Sequence, residues 1–325
     1  MTTRTLEPRP HGPEPLDAQV LDRRAHPSAA RFSDWRAPDG WRHRRIDWPR
    51  PKGEARGTLL FLGGRGDFIE KYMEAMAHWH ELGWAVTSFD WRGQGASRGD
   101  IEGGHLESFE PLVADLAALA GEFGAQPGPL VAVGHSMGGH VLLRAIAEEK
   151  VRLDAAVLVA PMLGINSAPL PAFAAWWTAA LFANLGLRRQ PAWRTPLPPP
   201  PPGSARQAWL TSCPERYSDE LFWWKREPGF HLGAPSWGWL DAAYRSIAAL
   251  TDEKLRRAET PMLLVGTEAD RLVSAAAIHR AAALLPDARL RMFERAGHEI
   301  LREADPVRGE ALAAIGAFLD EAVPR

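Results

Sequence analysis

The stretch Pro129-Leu130-Val131-Ala132-Val133-Gly134-His135-Ser136-Met137-Gly138-Gly139-His140-Val141-Leu142-Leu143 decides how the chain is read. Leu130 to Val133 is a short apolar run bounded by Pro129 and Gly134, the signature of a buried strand. Beyond it, Met137, Val141, Leu142, Ala145 and Ile146 recur at helical spacing on one face. The junction, Gly134-x-Ser136-x-Gly138, reads as a sharp strand-to-helix turn that lifts a serine hydroxyl to the end of a sheet. A Cβ at either glycine would crowd the neighbouring strand or helix, and the helix behind aims its positive dipole end at the same spot. The plain alternative is a tight turn with an exposed serine.

Outward from this turn, apolar runs and amphipathic segments alternate. Towards the N-terminus, Phe32 to Trp48 brackets the turn signal Pro38-Asp39-Gly40 and reads as an edge hairpin. Thr58 to Leu62 and Trp84 to Phe89 read as strands, Phe68 to Leu82 and Leu106 to Phe123 as helices, and Ala155 to Ala160 as a further strand. After Thr251 the order resumes with a strand at Pro261 to Gly266 and a helix at Ser274 to Leu285. A strand at Arg289 to Phe293 follows, and then a helix opened by Asp305-Pro306 and running through Leu319. The pattern predicts an α/β fold with a mostly parallel central sheet covered by helices on both faces. Residues 29–160 and 252–325 form that core, and residues 1–28, with Pro8, Pro10, Pro13, Pro15 and Pro27, form an N-terminal arm.

Between the halves, residues 161–251 show no clear strand and are too long for a structureless loop. They read as an inserted helical cap, rich in aromatic pairs (Trp176-Trp177, Trp223-Trp224, Trp237-Gly238-Trp239) and interrupted by the proline run Pro198 to Pro202. Packing within a small subdomain accounts for any one of these tryptophans. Together they point to an apolar lid and a peripheral membrane contact through it.

Composition narrows the classes. A formal net charge of −2 over 325 residues offers no field for nucleic acid, and the single cysteine excludes a disulfide framework or a cysteine-rich metal site. No apolar run approaches the roughly 18 residues of a bilayer span, and Met1 to Pro15 lacks a secretory apolar core. The expectation is a cytoplasmic protein or one peripheral on a membrane face.

A serine hydroxyl needs a base, and an imidazole base needs a carboxylate to orient it. Two further residues fall just past predicted strands, where an open α/β sheet places its ligands: Asp270 after Val265 and His298 after Phe293. Glu268 competes as the acid, and His140, His279, His105 and His231 compete as the base. Two backbone donors should hold the oxyanion. These are Met137 N–H and, from the turn Gly63-Gly64-Arg65-Gly66, Arg65 N–H, with Gly64 as its alternative. That turn lacks the Gly-Lys-Ser/Thr of a phosphate loop and the spaced glycines of a dinucleotide site.

From about Phe32 to Leu319 the chain resembles the α/β-hydrolase superfamily, and within it the lysophospholipase and monoacylglycerol-lipase-like serine hydrolases. The resemblance rests on Gly64-Arg65-Gly66-Asp67-Phe68-Ile69-Glu70-Lys71-Tyr72, on Asp90-Trp91-Arg92-Gly93-Gln94-Gly95-x-Ser97 and on Gly134-His135-Ser136-Met137-Gly138-Gly139. Leu210-Thr211-Ser212-x-Pro214-Glu215-Arg216-Tyr217 and Trp237-Gly238-Trp239 resemble the bacterial lysophospholipase L2-like members. Monoacylglycerol lipases carry a His-Gly pair where this chain has Gly63-Gly64, which weakens any transfer of their specificity.

The resemblance implies a triad of Ser136, Asp270 and His298, the set reached by position. It implies ester hydrolysis through an acyl-enzyme, with a single-chain lipid ester as substrate and no metal or organic cofactor. Trp237, Arg216 and Tyr217 are expected to contact substrate, although an Arg216–carboxylate pair that only fixes the cap fits the sequence equally well. The rival readings are a general carboxylesterase or thioesterase, a proline-iminopeptidase-like peptidase, and a hydrolase-fold binding protein without turnover.

Overall fold

The computed structural model describes residues 21–50, 56–124 and 126–324. Eight strands form one sheet in the order β1-β2-β4-β3-β5-β6-β7-β8. The strands are β1 (Arg31–Arg36), β2 (Arg42–Trp48), β3 (Gly57–Leu62), β4 (Trp84–Phe89), β5 (Leu130–His135), β6 (Ala155–Val159), β7 (Met262–Thr267) and β8 (Ala288–Phe293). β1 and β2 form the antiparallel edge hairpin, turned at Pro38-Asp39-Gly40, and β2 pairs antiparallel with β4. All pairings from β4 to β8 are parallel. This is the α/β-hydrolase architecture expected above.

The central strands are apolar throughout because both of their faces are covered. Alternate residues part to opposite sides: Leu60, Leu62, Ala132, Leu158 and Leu264 face one core, whereas Leu59, Phe61, Val133, Val157 and Val265 face the other. Helices α1 (Met73–Glu81), α2 (Glu110–Phe123) and α3 (Met137–Ala147) follow β3, β4 and β5. α2 and α3 cover the first face and α1 the second.

α2 begins later than the Leu106 start read from periodicity. Pro111 lacks an N–H and fits only the first turn, which sets the start at Glu110. Ahead of α1, Ile69–Tyr72 winds as a 3-10 turn.

The 161–251 segment contributes α4 (Ala172–Phe182), α5 (Ala205–Leu210), α6 (Pro214–Arg226) and α7 (Trp237–Ala248) and no strand of the sheet. The short α8 (Asp252–Arg256) leads into β7, α9 (Ala275–Leu284) joins β7 to β8, and α10 (Asp305–Ala322) closes the second face. Of the N-terminal arm, Pro8, Pro10, Pro13 and Pro15 lie outside the described residues. The described part rests on α6: Arg23 and Arg24 both reach Asp219 at 2.6 Å, and Trp223 donates to the Arg23 carbonyl.

Candidate active site

Ser136 stands between the last residue of β5 and the first of α3 with φ +51° and ψ −115°, a conformation an L-residue holds only when its surroundings enforce it. The enforcement is steric. A Cβ on Gly134 would fall 2.8 Å from the Gly139 backbone, and one on Gly138 would fall 2.4 Å from the Leu62 carbonyl oxygen. The Ser136 side chain does not cap the helix it begins. It reaches His298 instead, with Oγ 2.9 Å from Nε2.

His298 lies beyond β8, and its Nδ1 is 2.8 Å from Asp270 Oδ2, in the loop beyond β7. The other Asp270 oxygen accepts from the N–H groups of Leu272 and Val273 at 2.7 and 2.9 Å. Three residues spread over 162 positions therefore meet at one edge of the sheet. Burial of Asp270 disfavours its charge, but the His298 ring and the two N–H donors outweigh it and hold the carboxyl below its usual range. Burial likewise opposes a charged His298, yet the Asp270 charge wins and raises the imidazole pKa above 6.5. The arrangement makes the serine proton transferable to a ring whose resulting charge already has a partner.

The competing residues are occupied elsewhere. Glu268 pairs with His279 at 2.7 Å on the surface. His140 is fully buried against Ser246 Oγ at 2.6 Å, and burial, with Arg144 nearby, pushes its pKa down to about 3, so it stays neutral. His105 sits between Ser236 and Glu107, and His231 packs edge-on against Trp224.

The Gly63–Gly66 turn touches the serine: a Cβ on Gly64 would lie 2.9 Å from Ser136 Cβ. Gly64 N–H already donates to Asp67 Oδ2 at 2.6 Å, which leaves Arg65 N–H as the open donor of the turn. Met137 N–H opens α3, where the first amides have no partner in their own helix.

Arg216 and Tyr217, expected as substrate contacts, are committed to protein partners. Arg216 makes a two-pronged pair with Glu74 at 2.7 Å, and also reaches Asp305 and the Glu303 carbonyl at 2.6 Å. Tyr217 is wholly buried and donates to the Pro200 carbonyl at 2.7 Å. Arg216 ties the 161–251 segment to α1 and to the start of α10, the role left open for it by the sequence, whereas the Tyr217 bond stays within the segment. Trp237 stacks on Phe182 at 4.5 Å.

Sequence reasoning missed how the His298 loop is held. His298 N–H donates to the Trp209 carbonyl at 3.0 Å and Glu299 N–H to the Leu210 carbonyl at 2.8 Å, so α5 carries the loop's backbone. At Gly297 a Cβ would fall 2.4 Å from the Leu210 oxygen.

A buried charge cluster also went unseen. Lys71 Nζ lies 2.8 Å from Asp67, 2.5 Å from Glu299 and 3.3 Å from Glu220. Asp67 in turn meets His135 Nδ1 at 2.8 Å, and His135 Nε2 donates to the His298 carbonyl at 3.3 Å. The only signals in the sequence were the i,i+4 spacing of Asp67 and Lys71 and the charge directly after His298.

Three comparisons bear on this geometry. The family profile described as serine aminopeptidase, S33, matches residues 53–305. The lysophospholipase L2 of Escherichia coli is 31% identical over 289 residues, covering 81% of this chain and 80% of the relative. A probable lysophospholipase L2 of Haemophilus influenzae is 27% identical over 286 residues, covering 83% and 86%. Among solved structures, a soluble variant of monoglyceride lipase from Saccharomyces cerevisiae in complex with a substrate analogue superposes with a TM-score of 0.72. It is 19% identical and covers 97% of this chain and 100% of that one, a likeness of fold.

Proposed function

The chain belongs to the serine aminopeptidase S33 family of α/β-hydrolases, and from that premise we propose that it is a serine hydrolase of single-chain lipid esters. One observation carries the reading: Ser136 Oγ, His298 and Asp270 form an unbroken hydrogen-bonded line of 2.9 and 2.8 Å at the carboxyl edge of the sheet. His298 Nε2 takes the Ser136 proton as Oγ attacks the ester carbonyl carbon. The N–H groups of Met137 and Arg65 receive the charge that develops on the carbonyl oxygen. Collapse expels the alcohol, protonated by His298, and leaves an acyl-Ser136. Water, deprotonated by the same imidazole, then releases the fatty acid. Asp270 keeps the ring in the tautomer this sequence requires.

The lipid reading draws on the names of the relatives and on the 161–251 segment, which we take as a cap. Ile165 to Leu187 contains no charged residue and is followed by Arg188 and Arg189. Along α4 and its extension, Phe173, Trp177, Leu181 and Leu185 recur every four residues, each more than half exposed. The opposite side of α4 is satisfied by packing, with Trp176 stacked on Tyr244 and Phe182 on Trp237. An apolar stripe of this kind suits a lipid surface from which single-chain esters are drawn. Among the described residues no helix is long and apolar enough to cross a membrane.

Purified protein tested on lysophospholipid, 1-monoacylglycerol and short acyl esters should hydrolyse the long-chain substrates. Ser136→Ala should lose turnover by about 10⁶-fold, the scale of removing a triad nucleophile. A strict preference for short chains would defeat the lipid half, and unchanged turnover in Ser136→Ala would defeat the mechanism. The description of the family profile keeps a second reading open, an aminopeptidase. Hydrolysis of aminoacyl anilides faster than of acyl esters would favour it.

A further inference from the structure

Arg65 and Trp239 stand out because, among the described residues, a guanidinium with no facing carboxylate lies over the ring of an indole whose N–H has no acceptor. Each other deeply placed guanidinium among the described residues faces a carboxylate: Arg44 faces Glu70, Arg92 faces Asp115, Arg144 faces Glu148, and Arg302 faces Glu299. Arg65 faces none. Two of its five N–H donors reach backbone carbonyls, Gly233 and Gly103, both at 3.0 Å, and its Nε is buried without an acceptor. The guanidinium lies 5.1 Å over the Trp239 ring, and Trp239 Nε1–H is likewise buried with no acceptor. Burial pushes the Arg65 pKa down to about 9, which still leaves it charged at neutral pH.

A half-buried cation whose buried Nε has no acceptor, set over an indole whose buried N–H has none either, is a costly arrangement unless an anion completes it. Their position says which anion. Gly64 abuts the Ser136 side chain, and the Arg65 side chain leaves from the next residue. In a lysophospholipid only the glycerol carbons separate the phosphate from the scissile ester, so the anion comes close to the serine as the ester is attacked.

We propose that Arg65 and Trp239 form the subsite for the phosphate of a lysophospholipid headgroup, with Arg65 giving charge and paired donors and Trp239 a single directed N–H. The proposal rests on the ester-hydrolase reading of Ser136 and deepens it: the chain would choose phosphate-bearing single-chain esters over neutral monoacylglycerols. Arg65 thus has two parts, its backbone N–H serving the oxyanion and its side chain setting specificity.

The test is a ratio, kcat/KM for a lysophosphatidylethanolamine over kcat/KM for the 1-monoacylglycerol of the same chain. It is measured in the wild type and in Arg65→Gln, Arg65→Lys and Trp239→Phe. Wild type should favour the lysophospholipid. Arg65→Gln should lower the ratio by tenfold or more, Arg65→Lys should recover part of it, and Trp239→Phe, which keeps the ring, should lower it severalfold. A ratio that does not move, or equal losses on both substrates, overturns the proposal.

Protection of Ser136 from a fluorophosphonate probe by inorganic phosphate separates the sources of the anion. Protection that depends on Arg65 alongside an unmoved ratio would assign the pair to free phosphate and overturn the headgroup assignment. Failure of the probe to label Ser136 in the wild type would instead strike the underlying serine-hydrolase reading.

Discussion

The β5–α3 unit and helix α4 are both rich in apolar residues, yet the fold treats them in opposite ways. Every residue of α3 is buried, whereas in α4 only Ala179 is. The turn is defined by backbone atoms that meet at the limit of contact, so no side chain can be added at Gly134 or Gly138. Helix α4 leaves Trp177 74% exposed and Phe173 67% exposed, and nothing among the described residues covers its outer stripe. Apolar composition thus serves two ends here. In the turn it is spent on fixing one geometry, and in α4 it stays available to something outside the chain.

Four experiments would break or sharpen this contrast. The largest effect belongs to Gly138→Ala, where the new methyl meets the backbone oxygens of Leu62 and Gly63 at 2.4 and 2.5 Å, neither of which can yield alone. Thermal unfolding should show a loss of about 4 kcal/mol or more, or no folded protein at all. A variant as stable as wild type would remove the steric account of the turn.

Next comes Gly297→Ala. Its methyl would push the His298 loop off the Leu210 carbonyl, and turnover should fall by about 10²-fold through a misplaced base, with the far-ultraviolet spectrum intact. Unchanged kinetics would show that α5 does not hold the histidine.

The third is a pH profile. Only neutral His298 can take the serine proton, so kcat/KM should rise with pH through an ionisation lifted by the Asp270 charge above the ordinary imidazole value of 6.5. In Asp270→Asn the residual activity should rise at lower pH, because the charge that stabilises the imidazolium is gone. A midpoint unmoved or shifted upward would sever the two residues.

The smallest effect on the folded protein is expected from Phe173→Ser with Trp177→Ser. Surface changes of this kind alter stability by within about 0.5 kcal/mol each. Hydrolysis of a soluble short-chain ester should be unaffected, while co-sedimentation with phosphatidylglycerol vesicles should drop severalfold. A fall in melting temperature instead would mean that the stripe is covered within the protein.

The sheet was legible because a doubly covered parallel strand must be apolar at every position, and runs such as Leu130 to Val133 or Met262 to Val265 have no other economical reading. The positions of Ser136 and Asp270 followed, since each comes shortly after such a run, while His298 was placed by its position after β8, an edge strand in which Arg289 and Arg291 are exposed. What the sequence hid is of another kind. The cluster of Lys71, Asp67, Glu220 and Glu299 draws on three distant parts of the chain, and no local period announces a charge that is buried only because its partners arrive from elsewhere. The role of Arg216 stayed open for the same reason: an arginine reads alike whether it faces a ligand or Glu74. The α2 boundary shows a smaller lapse, since Pro111 was visible and its first-turn preference marks the start.

The two backbone bonds from the His298 loop to Trp209 and Leu210 also constrain how anything enters. If the whole 161–251 segment swung away as one rigid flap, it would drag the His298 imidazole off Ser136 and undo the proposed catalytic line each time the door opened. On the proposed mechanism the span from α5 to α6 would have to stay in place as a doorpost. Any opening would then fall to the charge-free run ahead of Arg188, whose outer stripe is exposed.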